Sequence, residues 1–470
     1  MKKALIALIP VAIGIVMLSS AFYGCKDMGS SSGANEMYNS KSKPASEFTN
    51  KMALAWIDML CDQVRFQRVG PPPAARALGY LGIAMYQSVV AGIPDGHSLE
   101  GQLKGFTVPK PDNTLEYDWP TVLNNSCYIV CDEGLARYMG PNTPNLKNLR
   151  DKMNYLQDSL LNNKDVFARS KKYGEDLGNA VLDYMKTDKY DYTRENNIYE
   201  APSRGGDPSH PERWEVTDVN KTAYEPLWGT LHPLGMDTTE LCQTFPSIKY
   251  SQEPNSDFYK FVEKLYGIDT SFSEYNRLTS LYWADDPIET FTPPGHWTKI
   301  AKQQIRRHNY NLAQTCEFYC YFGMAEYDVS ISAWKTKYDI NRGSGVRPIT
   351  YIHEVMNKPD WEPYIETPPF PEYPSGHSVF SGAATEILTK YFGDNVEFTD
   401  STNMLIGLNP RTFKSFYDAA NEAGYSRMYG GIHFEAAILD GIKVGRCVAD
   451  NVMKNIHLGS STAAADQAKK

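Results

Sequence analysis

Proline, serine, glycine and histidine stand together at 374 to 377, inside "YPSGHSVFSGAA" and directly ahead of a small-residue helical run. Pro374 stops the preceding segment. Ser375 and the backbone N–H of Gly376 then offer donors where the next helix begins, the end that carries partial positive charge. Gly376 lets the backbone approach a ligand with no Cβ in the way, and His377 is delivered at the same mouth. Two more stretches add to this one. "WKTKYDINRGSGVRP" contributes Lys337, Arg342, Arg347 and Pro348, and "SRMYGGIH" contributes Arg427 and, across a tight glycine turn, His433. Arginine meets an anion's oxygens with a rigid fork of donors, whereas lysine supplies a compact charge. Cations, a hydroxyl, an amide and two imidazoles are the parts of a site for a tetrahedral oxyanion. A neutral His433 can attack phosphorus, or bind a d-block oxyanion, through one ring nitrogen. His377 is left as general acid or base toward the oxygen on the opposite side.

These motifs, in order and chemistry, resemble the superfamily that joins type 2 phosphatidic acid phosphatases with vanadium-dependent haloperoxidases. Its pattern is Lys, six residues, Arg-Pro; then Pro-Ser-Gly-His; then Ser-Arg, five residues, His, three residues, Asp. The match spans about 328 to 445, and "PPPAARALGYLGIAMY" and "PPGHW" further look like its long, exported bacterial haloperoxidase-like branch. The resemblance implies Lys337, Arg347, Ser375, Gly376 and Arg427 as oxyanion ligands and His377 and His433 as catalytic residues. In the haloperoxidase reading, vanadate is bonded to His433, hydrogen peroxide binds and a halide is oxidised while His377 assists proton movement. In the phosphatase reading there is no cofactor, His433 forms a phospho-histidine from a phosphate ester and His377 protonates the leaving oxygen. A third reading is a non-catalytic surface lipoprotein that binds through its long central loop. Two departures stand out. Three extra residues within "NRGSG" separate Lys337 from Arg347, with Arg342 as the stand-in cation. Ala437 occupies the place of the aspartate that orients the histidine, leaving Glu435, Asp440 and Glu386 as candidate substitutes.

The elements that must position these groups are helical, and the fold class expected is all-α, an N-terminal helical half packed on a C-terminal catalytic bundle. Apolar residues recur at helical spacing over 48–64, after the triple proline at 71–73, over 118–139 and 145–187, in "SDFYKFVEKLYG", and from "PPGHW" through "AWKTKY". The last helical segments fall at 376–392, 410–423 and 430–456, the final one carrying His433. His296, after Pro and Gly, reads as a helix-start capping or packing residue. Residues 190–250 are rich in Tyr, Asn, Pro and Gly without periodicity and are expected to cover the site. The domains expected are therefore a leader (1–25), a flexible tether (26–46), an N-terminal helical region (47–290), a catalytic bundle (291–458) and a tail (459–470).

Composition sets the bounds. A 470-residue chain with 42% hydrophobic residues can bury a large core, and a formal net charge of −9 gives no footprint for nucleic acid. The cationic start, the apolar run and "FYGC" read as an export signal ending at a lipidated Cys25. That implies an exported lipoprotein, periplasmic or associated with the outer membrane, attached through the lipid alone. Of eight cysteines, seven remain once Cys25 is lipidated, which argues against a complete disulfide framework. Cys127/Cys131 and Cys316/Cys320, each four apart, read as helix-packing pairs.

Overall fold

The computed structural model describes residues 37–135, 143–196, 209–217, 222–270, 272–287, 289–339 and 345–459. Cys25, Arg342 and the tail beyond 459 lie outside them. Residues Asn35–Lys470 form one compact unit.

The architecture is all-α as expected, with one two-stranded ribbon. Helices α1 (Lys51–Phe66), α2 (Pro71–Val89), α3 (Trp119–Ile129), α4 (Thr143–Leu161), α5 (Lys164–Met185) and the short α6 (Tyr190–Glu195) make the N-terminal part. There follow α7 (Asp257–Thr270), α8 (Glu274–Tyr282), α9 (Thr292–Arg307), α10 (Leu312–Lys337), α11 (Pro348–Glu354), α12 (Gly376–Phe392), α13 (Phe416–Tyr429) and α14 (Glu435–Asn455). Strands β1 (Phe398–Asp400) and β2 (Arg411–Phe413) pair antiparallel, Thr399 opposite Thr412.

Helix α10 is the axle. Asn311 and Gln314 close a reciprocal capping box at its start, and it is buried on nearly every face, as a helix without an amphipathic stripe must be. It packs along α2 on one side and against α12 and α14 on the other. Close approach needs glycine: a Cβ on Gly82 would lie 2.4 Å from the Tyr319 carbonyl oxygen, and one on Gly445 would lie 2.2 Å from that of Val379. The second contact clamps α14 against α12, the pair that carries the candidate site. A smaller core of Phe258, Val262, Tyr351, Ile352, Phe434 and Ile438 wedges α7 and α11 against the start of α14.

Several expectations shift. Residues 37–46 of the supposed tether are packed: Met37, Asn39 and Ala45 are buried, and the Asn39 amide reaches the Leu115 carbonyl at 2.9 Å. The span 145–187 is two helices, because Asn162 is left-handed (φ 47°) and Asn163 caps α5. The span 410–423 begins as strand β2, and the last helix begins at Glu435, after a turn through Gly430–Ile432 that leaves His433 ahead of it. The 118–139 segment is α-helical to Ile129 and then widens into a π-helical turn at Val130–Leu135, and its last four positions lie outside the described residues. Cys242 and Cys447 form a disulfide that ties the long central segment to α14, a single bridge and not a complete framework. Cys127, Cys131, Cys316 and Cys320 are free and buried. Among the described residues no helix is long and apolar enough to cross a membrane.

Candidate active site

The site is built at the start of α12. Ser375 precedes the first helical residue in extended conformation, and its N–H donates to the Ala437 carbonyl at 3.0 Å, fixing the helix end to α14. The first N–H groups of a helix have no partner within it. The Ser375 hydroxyl, fully buried, has no protein partner either. A Cβ on Gly376 would meet only Trp334, at 3.9 Å, so the backbone there faces open space rather than packed neighbours.

Arg347 caps the start of α11 with Pro348 behind it, and it is fully buried. Its Nε and Nη2 donate to the Phe370 carbonyl (3.0 and 2.7 Å), and Nη1 donates to the Ile432 carbonyl (2.9 Å) and to His433 Nε2 (3.2 Å). Arg427, at the end of α13, donates from Nη2 to the Ser280 carbonyl at 2.9 Å and from Nε to the Ser426 hydroxyl at 3.0 Å. Burial lowers both guanidinium groups to about 10, opposed by Glu372 for Arg347 and by Asp285 and Asp286 for Arg427; both stay charged at neutral pH.

His433 is buried at the turn before α14, with Nδ1 at 2.9 Å from Glu372 Oε1. Burial first, then Arg347, Lys337, His377 and Arg427, push its pKa well below the ordinary histidine value, so the ring is neutral. A guanidinium can only donate, so Nε2 accepts and Nδ1 carries the proton. His377, in the first turn of α12, is likewise held neutral by burial and by Arg427 and His296. Its Nε2 has no hydrogen-bond partner and lies 3.7 Å from Asp285 Oδ2.

Gly376, His377, Arg427 and His433 line one cavity of about 340 Å³, so the two imidazoles and the helix start converge. Much of the remaining lining is apolar, including Trp334, Phe370 and Phe380. Tyr224 of the long central segment lines one side, its N–H donating to the Pro369 carbonyl at 2.8 Å.

Lys337 departs from expectation. Its ammonium, at the end of α10, donates to the carbonyls of Pro371 (2.8 Å), Glu372 (3.2 Å) and Pro374 (2.5 Å), which accounts for all three of its protons. It grips the turn that leads to Ser375 instead of offering a donor to the cavity. The proposed substitutes for the missing aspartate are engaged elsewhere: Glu435 with Lys264 and Tyr425, Asp440 with Tyr373 and Lys443, and Glu386 with Tyr417 and Arg446. His296 is a packing residue and not a cap, stacked on Trp283. It is buried with Nδ1 on Asp285 and Nε2 on Asp400, both at 2.8 Å. Glu372, Asp285 and Tyr224 escaped the sequence reading because each joins the site from outside the three motifs. The adjacent acids in "ADDP" were a signal for Asp285; Glu372 had none beyond its nearness to Pro374.

The Gly376 helix start, the Arg427 guanidinium and two neutral imidazoles thus face one cavity, with the Ser375 hydroxyl and Arg347 buried next to them. Residues 317–458 match the family described as the VCPO second helical-bundle domain. The vanadium chloroperoxidase of Curvularia inaequalis is 21% identical over 389 residues, 70% of this chain; the chain spans 62% of that protein's length. A solved structure, the first bacterial vanadium-dependent iodoperoxidase, is 33% identical with a TM-score of 0.78, covering 88% of this chain and 98% of its own. A holo-type bacterial vanadium-dependent chloroperoxidase, 14% identical, shares the fold with a TM-score of 0.60 over 82% of this chain and 92% of its own. The chain belongs to the vanadium-dependent haloperoxidase family.

Proposed function

We propose that the protein is a vanadate-dependent haloperoxidase that uses hydrogen peroxide to oxidise a halide, iodide being the first to test because the 33%-identical relative is named an iodoperoxidase. The observation that carries this reading is the convergence of Gly376, Arg427, a neutral His433 and His377, whose buried Nε2 is unpartnered, on one cavity, with the unpartnered Ser375 Oγ at the residue next to Gly376. A buried polar atom left without a protein partner next to a cavity can pair with an anion's oxygen there. The residues present fit vanadate: His433 Nε2 as the one protein ligand, Arg347 and Arg427 against its charge, Ser375 and the Gly376 amide on its oxygens. When bound, vanadate supplies Lewis acidity toward peroxide oxygen.

The chain's own residues do the rest. Arg347 and Arg427 hold charge without proton exchange at neutral pH. Ser375 and Gly376 fix orientation. His377 Nε2, neutral and free, takes a proton from incoming peroxide and returns it to the oxygen that leaves as water. The balance is halide plus hydrogen peroxide plus one proton giving hypohalous acid and water: the halide loses two electrons and the O–O bond breaks.

Export as a lipoprotein through Cys25 belongs to the same proposal, supported by the leader pattern and by a disulfide of the kind that oxidising compartments permit. Replacing Cys25 with serine should release the protein from membranes, and retention of the variant there would contradict it.

The activity test is a paired assay on the full chain. Vanadate-loaded protein should form triiodide from iodide only with peroxide, and His433→Ala should lose the activity. Hydrolysis of an aromatic phosphate ester without vanadate or peroxide, with no oxidation of iodide, bromide or chloride in the loaded protein, would replace this reading with the phosphatase one.

A further inference from the structure

The family pattern places an orienting aspartate where this chain has Ala437, whose side chain cannot accept a hydrogen bond and whose carbonyl is taken by Ser375. We infer that Glu372, arriving from the turn ahead of α12, does that aspartate's work and is the positioning residue that fixes the tautomer and ring angle of His433. The inference rests on the oxyanion-site reading above and not on halide chemistry.

The geometry is closed on every side. Glu372 Oε1 accepts from His433 Nδ1 at 2.9 Å and from the Phe434 N–H at 3.0 Å, so one carboxylate oxygen holds both the ring and the backbone that follows it. Arg347 Nη1, which cannot accept, sits 3.2 Å from Nε2 and enforces the complementary tautomer. With Nδ1–H on the carboxylate, Nε2 keeps its lone pair, which accepts from Arg347 in this structure and is the atom through which His433 would bind an anion's central atom. A histidine that ligates through one nitrogen commonly needs its other nitrogen fixed in this way.

The carboxylate is itself held in place. The Glu372 N–H donates to the Gly345 carbonyl at 3.0 Å, and Lys337 spends its protons on the carbonyls of Pro371, Glu372 and Pro374. This gives the displaced lysine a function: it fixes the turn from which Glu372 reaches His433. Orienting carboxylate and anion donors therefore lie on one short segment, Glu372 to Gly376, whereas an aspartate at 437 would have worked from α14. Moving that segment disturbs the histidine's aim and the donor set together.

The test uses the full chain with ¹⁵N-labelled histidine and inorganic phosphate as the probe, so that failure of halide oxidation leaves it intact. In ligand-free wild type, His433 should show a protonated Nδ1 and an unprotonated Nε2, assigned by loss of the signals in His433→Gln. Glu372→Ala should mix the tautomers and weaken phosphate binding by about 10- to 100-fold, the usual cost of losing such an orienting group. Glu372→Gln, whose amide oxygen can still accept, should keep the tautomer and most of the affinity. Glu372→Asp, which folds if the larger truncation does not, withdraws the carboxylate by one methylene and should fall between. A folded Glu372→Ala or Glu372→Asp with wild-type tautomer signals and unchanged phosphate affinity would overturn the inference.

Discussion

His377 and His433 share a cavity yet differ in what holds them. His433 is bonded at both nitrogens, by Glu372 and by Arg347, while His377 Nε2 is unpartnered, and in the proposed function this asymmetry is what separates a ligand from a proton carrier. His377→Ala should therefore leave vanadate affinity nearly intact while lowering kcat by about 10²- to 10⁴-fold, the range for losing one general acid–base group. Titration calorimetry alongside the peroxide assay checks it, and a parallel loss of affinity would count against the division. The three motifs placed Arg347, Ser375, Gly376, His377, Arg427 and His433 in the sequence, because each motif is local and its spacing survives folding. Glu372 was not legible, and Asp285 was signalled only by the adjacent acids of "ADDP", since each comes from outside those motifs and only tertiary packing brings it in. Lys337 was legible as a member of the site and not in its role, because the extra residues before Arg347 leave no trace of where an ammonium turns.

At the level of elements, the contact between α12 and α14 sets the distance between Ser375 and His433. Gly445→Ala drives a methyl into the Val379 carbonyl, so it should cost about 1–3 kcal/mol of stability, as overpacking does, and weaken phosphate binding with it. Thermal unfolding and calorimetry on one preparation would show both. A second element-level device is His296 of α9, buried between Asp285 of the loop after α8 and Asp400 of β1. Burial alone would lower its pKa, but the two carboxylates outweigh burial and raise it to about 10. A base whose folded pKa lies above its unfolded one stabilises fully below the unfolded value and loses that stabilisation as pH rises through the folded value. The stability gap between wild type and His296→Gln should thus narrow as pH climbs from about 6.5 toward about 10, the span of the shift in unfolding midpoints. A gap that stays constant would show that the charged sandwich contributes nothing. The helices themselves were readable from apolar periodicity, while their ends were not. The left-handed Asn162 that splits 145–187, and the turn that frees His433 from α14, are single-residue backbone events within an otherwise helical pattern.

Across the whole molecule, the N-terminal helices pack on the C-terminal bundle through α10, which lies against α2 and against α12 and α14 at once. The long segment between α6 and α7 is secured by Tyr224 at the cavity and by Cys242 to Cys447 on α14. Replacing both cysteines with serine should lower stability by about 2–4 kcal/mol, the typical contribution of a bridge closing a long loop. An unfolding midpoint insensitive to the replacement would mean that packing alone retains the segment. The most direct measurement of the central claim, that these buried cations and donors surround one four-oxygen anion, is calorimetric titration of the full chain with orthovanadate, repeated in the presence of inorganic phosphate. The account predicts one site per chain, competition by phosphate and loss of binding in the Arg347→Ala, Arg427→Ala double variant. Equal vanadate affinity in wild type and a folded double variant would contradict it.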